Sequence, residues 1–347
     1  MNDVDALIEQ VRGSPKAMIN FARTMLMPKD AERAQTLCNE ALALAPGDGE
    51  IRAMHADALG AAIEDGYFKM VRDETRYQIL DRALRRVLGG GGRVLDIGTG
   101  VGLLAMIAAR AGADEVVTCE QNAVVAETAK AVIAANGLQR KVKVVAKKST
   151  DLVVGLDMAG PADVLVWDNI GSNMLGAGAL PTIEDALRRL VIPGAPVIPA
   201  RGTIWAALAE DARAGEQHMG RTLGFDLSPF NRLARGYTIK TEAERLSLRS
   251  EPVALFEFDF ACGGPYPAER VGRQAMATGG NANGVVQWLE LAIDDHDIYC
   301  ANPGVKTCAF ALVFHPAPAS FEAACGERFI IGASHDRVGL WVWLENP

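Results

Sequence analysis

The chain has 347 residues, 35 of them basic and 43 acidic, for a formal charge of −8. Hydrophobic residues make up 49% and charged residues 22%, enough apolar material for folded cores, which excludes a wholly disordered chain. The acidic balance argues against a dedicated nucleic-acid binder, and at roughly 150 residues per domain the length suits two domains with an appendage.

No stretch approaches the about 20 apolar residues of a membrane span, so no membrane association is expected. The N-terminal run MNDVDALIEQ lacks the apolar core of a secretory signal. The six cysteines (Cys38, Cys119, Cys262, Cys300, Cys308 and Cys325) form no CxxC pair, and the five histidines do not cluster. Neither a metal site nor a disulfide framework is expected, and a reduced, cytoplasmic setting follows.

Residues 1–64 read as helical. Ala17, Phe21, Ala22, Met25 and Leu26 recur at helical spacing. Pro28-Lys29-Asp30 breaks the pattern, with Asp30 as N-cap of a second stripe through Leu37, Cys38, Ala41 and Leu44. A third helix is predicted over 50–63. The run EALALAPGDGEIRAMHADAL resembles the join between two tetratricopeptide units, too few for an independent solenoid, so these helices are expected to cap the domain that follows.

Residues 65–200 alternate strands and helices. Strands are predicted at 94–97, 115–120, 142–146 and 164–166, and helices at 103–111, 124–136 and 182–190. This is the pattern of an α/β domain with a mostly parallel sheet. Beyond about Pro199 the chain changes character. Residues 204–209, 254–260, 285–293, 307–314, 328–333 and 339–344 read as strands without intervening helices, a β-barrel or sandwich over 201–347. Residues 211–250, polar with some helical periodicity, read as an insertion.

The strongest chemical signal is Val94-Leu95-Asp96-Ile97-Gly98-Thr99-Gly100-Val101-Gly102. An apolar strand carrying Asp96 enters a GxGxG turn and opens a helix. Glycine lets a backbone approach a ligand where a Cβ would clash, and ligands of open α/β sheets bind beyond the carboxyl ends of the strands. Glu120 ends the next strand, where a carboxylate can accept bonds from both ribose hydroxyls.

These residues resemble S-adenosylmethionine-dependent methyltransferases of the protein arginine methyltransferase fold. The segment Gly66-Tyr67-Phe68-Lys69-Met70, continuing to Arg76, looks like the family's stretch that folds over the cofactor, and Arg76 matches the arginine that contacts the cofactor's carboxylate. Lys147-Lys148-Ser149-Thr150-Asp151 resembles the stretch that meets adenine, and Gly176–Pro181 and Val197-Ile198-Pro199 also match. The resemblance implies a Rossmann-like class I methyltransferase domain followed by a β-barrel, with S-adenosyl-L-methionine held by Phe68, Met70, Arg76, Asp96, Gly98, Thr99, Gly100, Glu120, Lys148, Ser149 and Thr150. It implies no metal, and it places a dimerisation arm at 211–250, hence a homodimer.

The family carries two glutamates on the hairpin after the fourth strand, which hold a guanidinium by paired bonds. Here Asp168 and Asn173 fall on those positions, and the family's Thr-His-Trp loop is matched only by Lys306-Thr307-Cys308-Ala309. Three readings follow. The first is a methyltransferase acting on a changed acceptor (a small molecule, peptide or modified side chain) that sits on the catalytic candidates Asp168 and Asn173. The second is a protein arginine N-methyltransferase in which Asp168 alone holds the guanidinium. The third is a non-catalytic cofactor-binding interaction module. The first is preferred on sequence. Elsewhere, Trp167 reads as packing, Met70 and Met106 as cofactor-lining or core-filling, Lys147-Lys148 as solvated, Cys119 as buried and inert, and His335-Asp336 as a polar turn between strands.

Overall fold

The computed structural model describes residues 3–27, 29–61, 63, 66–217, 219–233, 235–306 and 308–345. By contact the chain groups into two units, Met1–Arg72 with Gly91–Gly160, and Asp73–Gly90 with Pro161–Pro347.

The first unit begins with helices α1 (Asp3–Val11), α2 (Pro15–Phe21), α3 (Ala31–Leu44) and α4 (Gly49–Gly60), with a π-helical turn, Ala22–Leu26, extending α2. Of the predicted stripes, Ala22, Leu26, Leu37, Cys38 and Ala41 are buried in one core, which Met18, Ile19 and Ile51 complete, whereas Met25 and Leu44 face outward and are exposed. Asp30 caps α3 by accepting the Arg33 N–H at 3.1 Å, and Asp48 caps α4 by accepting the Glu50 and Ile51 N–H groups. Pro28, expected to break the first stripe, lies outside the described residues. A short helix α5 (Gly66–Met70) follows.

Chain order then enters the second unit with α6 (Glu74–Val87) and returns to the first at β1 (Arg93–Ile97), α7 (Leu103–Ala111), β2 (Glu115–Cys119), α8 (Ala123–Ala135) and β3 (Val142–Val145). The strands are parallel in the order β3-β2-β1. β1 and β2 are buried on both faces from their second residue on, whereas β3 exposes Lys143. The N-terminal helices do cap this layer: the Gln35 amide of α3 donates to Val124 O at 3.4 Å and Thr128 Oγ1 at 3.3 Å on α8.

The second unit continues through β4 (Val164–Trp167), α9 (Ala179–Arg189) and β5 (Val197–Ile198), with β4 and β5 parallel. Antiparallel strands follow: β6 (Arg201–Asp211), β7 (Arg221–Thr222), β8 (Phe225–Asp226), β9 (Tyr237–Ile239), β10 (Leu246–Leu248), β11 (Val253–Asp259), β12 (Glu269–Met276), β13 (Gly280–Ala292), β14 (Ile298–Cys300), β15 (Leu312–Ala323), β16 (Arg328–His335) and β17 (Leu340–Glu345). A seven-stranded sheet runs β10-β6-β13-β15-β9, with β11 also on β6 and β14 on β13; β12-β16-β17 form a second sheet. Helix α6 is tied to the turn before β14, where Arg82 donates to Asp297 at 2.6 Å and Arg86 to Asp294 at 2.7 Å.

Three sequence expectations change. Residues 211–250, read as an insertion with some helical periodicity, hold short strands and 3-10 turns and no α-helix among the described residues; their polar spacing followed solvent exposure. The strand expected at 307–314 begins at Leu312, because side chains take the backbone N–H groups ahead of it: Ala309 N–H donates to Asp73 and Ala311 N–H to Ser172. Strand β12 went unread because most of its residues are exposed, leaving no alternation to see. The fold class, α/β with N-terminal helices and a C-terminal β domain, is as expected.

Candidate active site

In the first unit, β1 delivers the glycine turn to the carboxyl end of the sheet. Gly98 and Gly100 have φ of +92° and +51°, the left-handed region glycine enters without a Cβ penalty. Gly98 N–H and Thr99 N–H both donate to Cys119 O, at 3.0 and 3.1 Å, which fixes the turn onto the end of β2. Asp96 stands behind it. Its carboxylate is fully buried and accepts the Thr118 hydroxyl at 2.7 Å, and Thr118 in turn meets Thr99 Oγ1 at 2.7 Å. Burial pushes the Asp96 carboxyl up to about 7, with the Glu120 charge adding to the rise. Asp96 thus braces the loop through Thr118 and Thr99.

Glu120, 7% exposed, accepts Gly100 N–H at 3.3 Å through Oε2 and Asn122 N–H at 2.9 Å through Oε1. It joins the glycine turn to the cap of α8. Of the upstream aromatics, Tyr67 lies over the turn: its ring is 3.6 Å from where a Cβ on Gly100 would sit. Phe68, the expected contact, is 62% exposed, and Met70 ends α5 half-buried. Ser149 is buried at the start of a 3-10 turn, Ser149–Asp151, while Lys148 and Thr150 are exposed. The ends of β2 and β3 open on a cavity of about 750 Å³ lined by Gln121, Asn122, Lys147, Lys148 and Asp151, with Met27 and Ala31 as its N-terminal wall. A glycine turn free of side chains, a carboxylate at the next strand end and a polar cavity beside it fit an adenosyl group.

In the second unit, the hairpin after β4 is organised around a buried ion pair. Arg76 on α6, 1% exposed, is paired with Asp168, 11% exposed, just past β4. The guanidinium also lies 5.0 Å from the Phe310 ring and 5.5 Å from the Tyr77 ring, both cation–π distances. Asp168 meets Arg76 through Oδ2, and no donor to Oδ1 is present among the described residues. Asn173 is occupied otherwise: its Oδ1 accepts Gly176 N–H at 2.9 Å and closes the turn. Met174 then takes φ +65°, an uncommon conformation for a non-glycine residue, held by complete burial of its side chain.

The sequence comparison missed what stands in for the Thr-His-Trp loop; Thr307 itself lies outside the described residues. Asp73, the N-cap of α6, accepts Arg76 N–H at 3.1 Å and Ala309 N–H at 2.9 Å, and it accepts the Tyr299 hydroxyl. That hydroxyl also meets Cys308 Sγ at 2.9 Å. Burial and the Asp73 bond push the Tyr299 phenol far up, so it stays protonated. The loop is therefore pinned to α6 through Asp73 and sets Phe310 on Arg76. No local pattern marked Asp73, Tyr299 or Phe310; their partners are remote in sequence.

Other candidates resolve as structure. Trp167 is fully buried, edge-on to Phe260 at 4.9 Å. His335 packs edge-on against Phe256 at 4.7 Å, and Asp336 caps the turn by accepting Val338 and Gly339 N–H groups. Lys147 is paired with Asp157 at 2.8 Å rather than solvated. Cys119 is buried, its thiol pushed up to about 12, and is inert. Met106 lies half-buried within α7. Among the described residues no cluster of metal-ligating side chains occurs.

Residues 76–200 match the family described as Ribosomal protein L11 methyltransferase (PrmA). The chain is 34% identical over 273 residues to an Arginine N(omega)-methyltransferase of Streptomyces achromogenes subsp. streptozoticus, covering 77% of this chain and 76% of that one. It is 32% identical to Protein arginine N-methyltransferase 7 of Drosophila mojavensis, covering 76% of this chain and 40% of that protein, so it spans less than half of that relative's length. Among solved structures, the Trypanosoma brucei PRMT1 enzyme–prozyme heterotetrameric complex with AdoHcy superposes with a TM-score of 0.69 at 19% identity over 80% of this chain and 93% of that one. Protein Arginine Methyltransferase 10 of Arabidopsis thaliana gives 0.65 at 18% identity, over 76% and 86%. The fold is theirs, and with a relative of 34% identity matched over most of both chains, this protein belongs to the S-adenosylmethionine-dependent methyltransferases of the arginine methyltransferase family.

Proposed function

We propose that the protein methylates a guanidinium nitrogen of arginine, with S-adenosylmethionine as donor. The observation that carries this reading is Asp168: a nearly buried carboxylate, fixed by Arg76 through one oxygen, with the other free of protein donors among the described residues. A carboxylate oxygen so placed accepts a guanidinium N–H, and charge-assisted bonds of this kind are about twice as strong as neutral ones. The arginine methyltransferase names of the relatives support this acceptor over the changed acceptor preferred from the hairpin sequence alone.

The donor supplies an electrophilic methyl group on a cationic sulfur. Glu120 and the 148–150 turn hold its adenosyl end, with Asp96 bracing the loop from behind. Arg76 fixes the rotamer and charge of Asp168, so that Asp168 orients the attacking nitrogen and accepts the proton the guanidinium releases as the N–C bond forms. Such base assistance contributes about 10²–10⁴-fold. The exposed apolar side chains of 211–250, Leu223 and Phe225 foremost, support a homodimer through this insertion; light scattering that finds only monomer at micromolar concentration removes that part of the reading.

The acceptor is tested with labelled donor. The purified protein is supplied with free arginine, with arginine peptides and with a cell extract, and the products are hydrolysed and separated. Methylarginine from either substrate is the expected result; label confined to other compounds of a cell extract overturns the reading.

A further inference from the structure

The second unit holds a cavity of about 610 Å³ that begins at Ser172 and Asn173, on the same hairpin as Asp168. Among the described residues Arg235 is its one charged lining residue, and no carboxylate lines it. Gln287 of β13 forms part of its wall at 1% exposure. The Gln287 carbonyl is used: His315 Nε2 lies 3.1 Å from Gln287 Oε1, and since a carbonyl oxygen only accepts, the imidazole donates. The Gln287 Nε2 is buried without a partner among the described residues. A buried amide donor left without an acceptor is destabilising, so a ligand that supplies an acceptor is favoured there. His315 cannot be that ligand's counter-charge, because burial lowers its ring to about 4 and keeps it neutral. The exposed indole of Trp341, 53% accessible, stands in the same lining and offers an apolar wall.

We propose that this cavity is the carboxylate subsite of the methyl acceptor, with Gln287 Nε2 and the Arg235 guanidinium as its two donors. The inference rests on the arginine reading, and it adds which arginine-bearing molecules are preferred. The carboxylate is either the α-carboxylate of free arginine or an acidic side chain near the arginine of a peptide. Both present two oxygens to the same donors, and one charge-assisted bond changes affinity roughly 10- to 150-fold. Among the described residues no acidic group competes from the cavity lining.

Calorimetry in the presence of S-adenosylhomocysteine decides it with two probe pairs. The first pair is L-arginine against L-argininamide. The second is an N-acetylated, C-amidated arginine peptide with a nearby aspartate against its asparagine counterpart. The wild type is expected to favour the carboxylate member of at least one pair by about tenfold. Preference in the first pair assigns the free amino acid, and preference in the second assigns a peptide. Arg235→Ala and Gln287→Met are each expected to abolish that preference while argininamide binding is kept. No preference in either pair, or a preference retained in Arg235→Ala, overturns the subsite. Arg235 is exposed, so that variant stays folded and decides the matter even where Gln287→Met does not. Methylarginine formation from labelled donor is scored separately: its absence refutes the arginine reading, whereas loss of the binding preference refutes only the subsite.

Discussion

Arg76 and Asp168 neutralise each other in the interior of the second unit, with the arginine 1% and the aspartate 11% exposed. Sequence resemblance set them on different tasks, Arg76 against the donor's carboxylate and Asp168 against the acceptor. In the structure each is the other's first partner. Breaking such a pair from one side leaves a buried, uncompensated charge, which costs about 3–5 kcal/mol. Asp168→Asn is therefore expected to lower the thermal midpoint and to reduce turnover by about 10²-fold or more. Adding Arg76→Met to that variant should recover much of the midpoint and none of the turnover. Equal midpoints for the single and double variants, measured by calorimetry, would show that the two are not coupled.

The loop around Cys308 and Phe310 depends on Asp73 and Tyr299. Tyr299→Phe removes one charge-assisted bond while leaving the two backbone donors to Asp73 in place. A loss of about 1.5–3 kcal/mol in stability is expected, with lower turnover because Phe310 is no longer held on Arg76. An unchanged denaturation midpoint would contradict the role given to this network.

Glu120→Gln keeps the shape at the end of β2 and removes the charge that accepts Gly100 and Asn122 N–H groups. Donor affinity should fall by about 1.5–3 kcal/mol, roughly 10- to 150-fold. Calorimetric titration with S-adenosylhomocysteine measures this directly, and wild-type affinity in the variant would remove Glu120 from the donor site.

Asp96 predicts a pH dependence of stability. Its ordinary value is 3.8, and burial raises it to about 7 in the folded chain. Below pH 3.8 both folded and unfolded forms hold the proton and the group's contribution is fully present. As pH rises the unfolded chain ionises first, and the contribution is lost progressively until the folded carboxyl has titrated, near 7. Asp96→Asn should escape this loss. Its midpoint relative to wild type should be more favourable at about pH 8 than at about pH 5; the same difference at both would refute the shift.

Much of this protein was legible before any coordinates. Short apolar runs located β1 to β3, and apolar positions at helical spacing located helices α2 to α4, α7 and α8, since burial acts over a few neighbouring residues. Asp30 as a cap was also readable because it acts within one helical turn, and the GxGxG turn and Glu120 were readable as a motif at fixed spacing, although they meet across 20 residues. Sequence failed where neither periodicity nor local chemistry applied, as in the exposed β12 and in 211–250.

Only the tertiary structure decided the contacts around the hairpin after β4. It brought Tyr299 and Ala309 to Asp73 across 226 and 236 residues, turned Asn173 inward onto Gly176, and set Arg76 against Asp168. It also placed Gln287 beside a cavity with one amide donor unmatched. The reason is the range of the forces. A helix or strand is chosen by hydrogen bonds and burial within a short segment, whereas a buried charge must find its counter-charge wherever the folded chain delivers one, and no spacing along the sequence encodes that meeting.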